Sequence, residues 1–273
     1  MKTIITFILL LAVSLNLTGC SSDDEILVPV IAKEDSQDDD VPAEPLPNFE
    51  AVEIPGFPKS IHYYFNGNLY YWLKYYYRSD GNLLKVNYGH PEHSSEIFTD
   101  TYHYNTEGKL IKLEGHDVYN FHWDEDRIVG ADKYNALWFG RSKIFYEYNS
   151  EGQIIQKTEN NLDFFEREKI IYTYFEDGNL MKIEQYGDYH ESGVFTLYFV
   201  TSFVGYKDDS NEFLEFVIIP GQRVQRHFPA SMEFKHLTES GYDRYETYRY
   251  NYDAEGRVVE KIFGDYKVVY EYY

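Results

Sequence analysis

A single cysteine, Cys20, is found among 273 residues, and tryptophan and methionine occur three times each. One cysteine excludes an intramolecular disulfide, so a body exported to an oxidising compartment must be held by its core. Basic residues are scarce. Against 46 Asp and Glu stand 25 Lys and Arg, a formal net charge of −21, which disfavours nucleic acid and anionic headgroups as partners. Long apolar runs are missing too: the stretch from Ile4 to Val13 falls well short of the roughly 20 residues that cross a bilayer as a helix. No G-x-S-x-G elbow, H-E-x-x-H pair, phosphate loop or calcium loop occurs, so no catalytic residue, cofactor or metal is assigned.

What is present begins with an export signal. Lys2 supplies a positive start, Ile4 to Val13 an apolar centre, and Ser14, Asn16 and Thr18 end it, as in a signal peptide covering residues 1–19. The tetrapeptide Leu17-Thr18-Gly19-Cys20 resembles the lipobox of bacterial lipoproteins. That resemblance implies lipidation of Cys20 and attachment to a membrane through its acyl chains, which bury about 0.8 kcal/mol per methylene. Residues 20–56 read as an acidic, disordered linker. Eleven carboxylates and one lysine lie between Ser21 and Glu53, and Pro29, Pro42, Pro45, Pro47 and Pro55 bar a helix. The run Ser21-Ser22-Asp23-Asp24-Glu25 resembles the acidic signal that sends some Gram-negative lipoproteins to the outer face of the outer membrane. A surface address is therefore expected ahead of the periplasmic face.

From residue 57 to 273 the chain is dominated by internal similarity. Five copies centre on Gly81, Gly108, Gly152, Gly178 and Gly256, as in Tyr102-His103-Tyr104-Asn105-Thr106-Glu107-Gly108-Lys109-Leu110. Tyr119 to Val129 is a worn copy without the glycine. The pattern is aromatic, any, aromatic, turn starter, any, acidic, glycine, any, aliphatic. It describes a hairpin in which Asn105 opens a type I turn and Gly108 takes the left-handed conformation that closes it. Simple alternation then places Tyr104 opposite Leu110 and Tyr102 opposite Lys112, with Ile111, Ile155, Met181 and Val259 on the other face. On that reading neither face is cleanly wet or dry. Val194 to Val204 and Phe213 to Ile219 read as buried strands, and no segment has a sustained helical period. The expected fold is all-β, a long antiparallel hairpin meander that is either a curled open sheet or barrel-like.

The unit resembles the YD repeat of Rhs and teneurin-like proteins, on Tyr250, Tyr252, Asp253, Gly256, Arg257 and Val258. The other copies keep the tyrosines and glycine but replace the aspartate and arginine. In this shape the chain resembles short repeat lipoproteins of unknown function, which implies a β-meander and no enzyme.

Aromatic residues make up 19% of the chain, including 29 tyrosines. Tyrosine joins an apolar plate to a polar tip, which suits sugar or protein contact as well as half-wet sheet packing. Tyr70, Tyr71, Trp72, Trp123, Trp138 and Phe139 form the denser clusters outside strict repeat positions and are the candidate binding platform. The histidines at 90, 93, 103, 116 and 122 are read as scattered over both faces rather than as a metal site. The sequence thus suggests a non-catalytic, lipid-anchored binding or structural module with a glycan or protein ligand. Its rivals are a peripheral glycan hydrolase and an integral outer-membrane barrel. Lys85, Lys112, Lys157, Lys182 and Lys261 oppose the barrel, because strands in lipid need a continuous apolar band; all five lying inside would favour it.

Overall fold

A computed structural model describes residues 49–91, 97–135, 140–164, 166–188, 192–210, 218–220, 226–238 and 242–273, without the side chains of 208–210. The signal peptide, Cys20 and the linker as far as Asn48 lie outside the described residues.

Seventeen strands follow one another. They are β1 (Pro58–Phe65), β2 (Asn68–Tyr77), β3 (Leu83–Gly89), β4 (Phe98–Tyr104), β5 (Leu110–Glu114) and β6 (Asp117–Asp124). Next come β7 (Arg127–Asn135), β8 (Gly140–Tyr148), β9 (Ile154–Asn161), β10 (Arg167–Tyr174), β11 (Leu180–Asp188) and β12 (Thr196–Ser210). The last are β13 (His227–His236), β14 (Arg244–Thr247), β15 (Arg249–Tyr252), β16 (Val258–Phe263) and β17 (Tyr266–Tyr272). No α-helix occurs among the described residues. Apart from β14 and β15, each strand pairs antiparallel with its neighbour in sequence, and β1 also pairs with β17, joining first to last. The ladder is interrupted at Tyr248, where one chain path stops pairing with β13 and starts pairing with β16. There the backbone N–H of Tyr248 still donates to Ala230, so the sheet is a nearly closed barrel. Near-closure satisfies backbone groups that an open meander would leave along two edges.

The glycine turns form as the sequence predicts. Gly81, Gly108, Gly152, Gly178 and Gly256 all have φ between +80° and +86°. Asn105 Oδ1 accepts from the N–H groups of Glu107 and Lys109 at 3.0 and 2.9 Å, and Asn149 and Asp253 repeat the arrangement. Where the starter is Arg78 or Phe175, the acidic residue takes over. Asp80 accepts from Asn82 and Asp177 from Asn179, and this backbone bond holds the Asp177 carboxyl below its ordinary range. In the worn copy Glu125 adopts φ +51° and the hairpin closes without glycine.

Beyond the turn the register departs from simple alternation. Tyr104 faces Leu110, but His103 faces Lys112 and Tyr102 faces Leu113, so Ile111 is an extra, unpaired residue. The same bulge recurs at Leu84, Val129, Ile155, Met181 and Val259. Because side chains alternate with a period of two, one inserted residue exchanges the faces beyond it. The expected pairing of Tyr102 with Lys112 is thereby corrected, and so, beside the glycine turns, is the impression of two mixed faces. Tyr102, Tyr104, Leu110 and Leu113 are all buried on the inner face, whereas His103 and Lys112 stand outside near Glu114.

A second recurring device joins one hairpin to the previous one. The inner aromatic beside each turn donates to the carbonyl of the aliphatic that opens the preceding return strand: Tyr104 to Leu83, Tyr148 to Ile128 and Tyr174 to Ile154, each at 2.7 Å. Tyr206 bonds Leu180, Tyr272 bonds Val258, and Trp123 Nε1 bonds Leu110. Each phenol thus loses water but keeps a partner, as buried polar groups must. Around these clasps Ile61, Ile128, Ile144, Leu180, Phe228 and Val268 are almost wholly enclosed in a continuous core.

The strand read over Val194 to Val204 is β12, which starts at Thr196, leaving Val194 exposed. Ile218 and Ile219 are buried in a bend rather than a strand, and residues 213–217 lie outside the described set. Residues 49–56, which composition groups with the linker, bear on the body. Val52 pairs with Tyr77, and the Arg78 guanidinium lies 3.6 Å from the Phe49 ring on one side and 4.5 Å from Tyr104 on the other.

Candidate functional site at the barrel mouth

The five repeat-glycine turns, at Gly81, Gly108, Gly152, Gly178 and Gly256, lie at one end of the meander, called here the glycine end, and the alternate turns lie at the other, called here the mouth. There the inner face changes character. Lys133 on β7 reaches Glu159 on β9 at 3.1 Å and Asp117 on β6 at 3.5 Å, and Lys157 reaches the same Glu159 at 3.1 Å. Asn135 donates to Asp117 at 2.6 Å, and Tyr198 donates to Glu168 at 2.6 Å. Burial opposes the charge of Glu159, but Lys157 and Lys133 outweigh it and hold the carboxyl at about 2. Lys133 is likewise held above its ordinary range, because Glu159, Tyr119 and Asp117 overcome its desolvation. Asp117, Lys133, Lys157 and Glu159 each have an opposite charge beside them, and unpaired charge here would be costly.

Next to the ladder the balance reverses. Burial pushes Asp100 on β4 up to about 6, although Tyr88 donates to it at 3.3 Å and the His116 backbone also bonds it, while Asp117 adds to the rise. Around Asp100 stand Tyr71, Tyr88 and Phe98. Tyr88 and Phe98 are stacked with centroids 5.6 Å apart, and Tyr71 approaches Tyr88 at 6.3 Å and His90 at 5.0 Å.

Of the platform residues chosen from sequence, Tyr71 points into the mouth, sharing a row with Tyr63 and the enclosed Val268. Tyr70 is a bulge residue whose carbonyl lies 3.0 Å from His90 Nδ1 and whose ring meets His90 edge-on. Trp72 stands on the outer face opposite His62 and Gly89. Trp123 is a clasp residue at the glycine end, covered by Lys109 at 5.4 Å. Trp138 and Phe139 lie outside the described residues. The consecutive aromatics of β2 are thus divided between faces, and Tyr88, Phe98 and Asp100 were not singled out from sequence. Phe98-Thr99-Asp100 precedes a repeat by one alternation, and that spacing was the available signal.

Among the described residues no three His, Cys, Asp or Glu side chains gather as metal ligands. His103 and His122 pair with Glu114 and Asp132 on the outer face. A depression of about 450 Å³ beside the β6–β7 turn is lined by Asp124, Glu125, Asp126, Arg127, Val129 and Tyr148, without a histidine.

No protein-family model and no curated protein matches the chain. Among solved structures, a porin-like protein from Bacteroides uniformis aligns with a TM-score of 0.52 at 12% identity, covering 81% of this chain and 98% of that one. The likeness is one of fold alone. A porin-like protein from Bacteroides vulgatus aligns at 11% identity over 80% and 98% of the two chains, with a TM-score of 0.44. The TcdB2-TccC3 structure aligns at 9% identity over 71% of this chain and 12% of its own, with a TM-score of 0.33. The Bacteroides uniformis likeness supports a barrel-shaped all-β meander, and no YD-repeat or lipoprotein family is shown.

Proposed function

We propose that the protein is a non-catalytic module of the bacterial outer membrane, tethered through a lipid on Cys20 and holding its barrel in water at the cell surface. The observation that carries this reading is the chemistry of the outer face. Lys85, Lys112 and Lys182 pair there with Thr101, Asn120 and Ser202, and Lys112 and Lys182 make ion pairs with Glu114 and Glu184. Of the five lysines weighed from sequence, only Lys157 and Lys261 share inner rows, with Tyr146 and Val268. A barrel wall in lipid requires an apolar band, and charges at its middle cost about 2–4 kcal/mol each. These outward lysines speak against the integral-barrel rival, although a porin-like protein has a similar fold.

Detergent phase partitioning tests the reading. The full-length chain is expected in the detergent phase and the Cys20→Ser chain in the aqueous phase. A Cys20→Ser chain that stays with the detergent would contradict it. Protease shaving of intact cells is expected to remove the body, and protection until the outer membrane is opened would place it on the periplasmic face.

A further inference from the structure

The mouth ends of β2, β3 and β4 and the β5–β6 turn bring flat rings and one carboxyl group together. Phe98 is 38% exposed and stacks on Tyr88, while His116 meets the Phe98 edge at 6.4 Å. Behind these plates the Tyr88 hydroxyl and the His116 backbone N–H both point at Asp100. That carboxyl occupies its place because residue 115 is glycine: a Cβ at Gly115 would collide with Asp100 Oδ1. Ile97, next to Phe98, is also exposed, and other turns at the same end of the meander leave Val194, Leu237 and Tyr242 exposed. Exposed apolar groups beside stacked rings mark a contact surface.

We propose that Tyr71, Tyr88, Phe98, Asp100 and His116 form a binding site for a neutral saccharide chain. The partly exposed Phe98 ring, stacked on Tyr88, accepts the C–H face of a pyranose, and the His116 imidazole at its edge and the Asp100 carboxyl behind it meet the hydroxyls. Asp100 and Asp117 lie at the site and the whole chain is strongly acidic, so polyanionic glycans are repelled. The open rim suits an extended chain passing across the rings better than an enclosed monosaccharide. The proposal deepens the reading of the protein as a surface binding module and rests on it for biological context, but the site itself does not require the lipid.

The test uses the purified, lipidated chain in detergent micelles, run in native gels cast with soluble starch, mixed-linkage β-glucan, xylan or galactomannan, and with polygalacturonate as the anionic comparison. At least one neutral polymer is expected to retard the wild type. Phe98→Ala and Tyr88→Ala are each expected to weaken retardation about tenfold, the loss of one good stacking partner. Tyr88→Phe, which keeps the ring, is expected to stay within about threefold. Phe145→Ala removes an exposed ring from the outer face, 48% accessible, and is expected to change nothing. Because Phe98 is partly exposed, its variant keeps the experiment decisive if Tyr88→Ala fails to fold. The proposal is overturned if no neutral polymer retards the wild type, if only polygalacturonate does, or if Phe98→Ala behaves as wild type. None of these outcomes alters the phase partitioning of Cys20→Ser, so failure of the saccharide site and failure of the tethered-module reading are separable.

Discussion

At the glycine end of the strands, Tyr104, Tyr148 and Tyr174 each clasp the preceding hairpin, and the rings between them are buried among Leu110, Ile128 and Ile154. At the mouth the same ribbons carry Asp100, Asp117, Lys133 and Glu159 on their inner face and leave Ile97, Phe98 and Val194 in water. One end repeats and the other varies. Repetition there reflects packing, because each clasp needs its aromatic and its aliphatic at fixed positions. At the mouth no clasp fixes the equivalent positions, and charged and exposed groups occupy them.

The comparison breaks most readily at single rings. Phe228, fully enclosed near the glycine end, is expected to cost about 3–5 kcal/mol when replaced by alanine, whereas Phe98→Ala at the mouth is expected to fall within about 0.5 kcal/mol. Urea midpoints measure both. Equal losses would mean that the ends are not differently built.

Two carboxyl groups of the mouth sharpen it through pH. Glu159 titrates near 2 in the fold against an ordinary 4.5, so its stabilisation is complete above pH 4.5 and disappears as pH falls towards 2. Glu159→Gln should lose about 2 kcal/mol at pH 7, since Lys133 and Lys157 then lack their shared partner, and should flatten the acid limb. Asp100 has the opposite sign. Raised to about 6 from 3.8, it binds its proton more tightly in the fold than in the unfolded chain, so stability rises as pH falls from 6 to 3.8. Asp100→Asn is expected to stabilise the protein at pH 8 by about 1 kcal/mol and to leave pH 3.8 unchanged. Unfolding curves at pH 2.5, 3.8, 6 and 8 check both signs.

A single clasp is of similarly modest size. Tyr148→Phe leaves the Ile128 carbonyl without its phenol and is expected to cost about 1 kcal/mol, and the double variant with Tyr104→Phe about twice that, because the sites do not touch. A cost near zero would reduce the clasps to ornament.

Much of the fold was legible because its signals are local. The turn chemistry of Asn105 and Gly108, and the pairing of Tyr104 with Leu110, lie within nine residues of sequence. The bulge was not legible, since inserting Ile111 changes no residue type and only the partner strand reveals the skipped pairing. The clasps were hidden for a different reason. Tyr104 reaches back 21 residues to Leu83, between hairpins rather than within one. At the mouth, Tyr71 was found among the dense aromatics, but Asp100 and Phe98 were missed because a lone aspartate and a lone phenylalanine acquire meaning only when Gly115 and Tyr88 are brought beside them.

Native-state amide hydrogen exchange tests the division between the two ends most directly, since a single experiment reads both halves of each strand. Within β4 and β8, the hydrogen-bonded amides beside the glycine turns, around Tyr104 and Tyr148, should exchange only by global unfolding. Those near Thr99 and Ser142 at the mouth should open at lower free energy. Equal protection along the strands, or stronger protection at the mouth, would contradict the account.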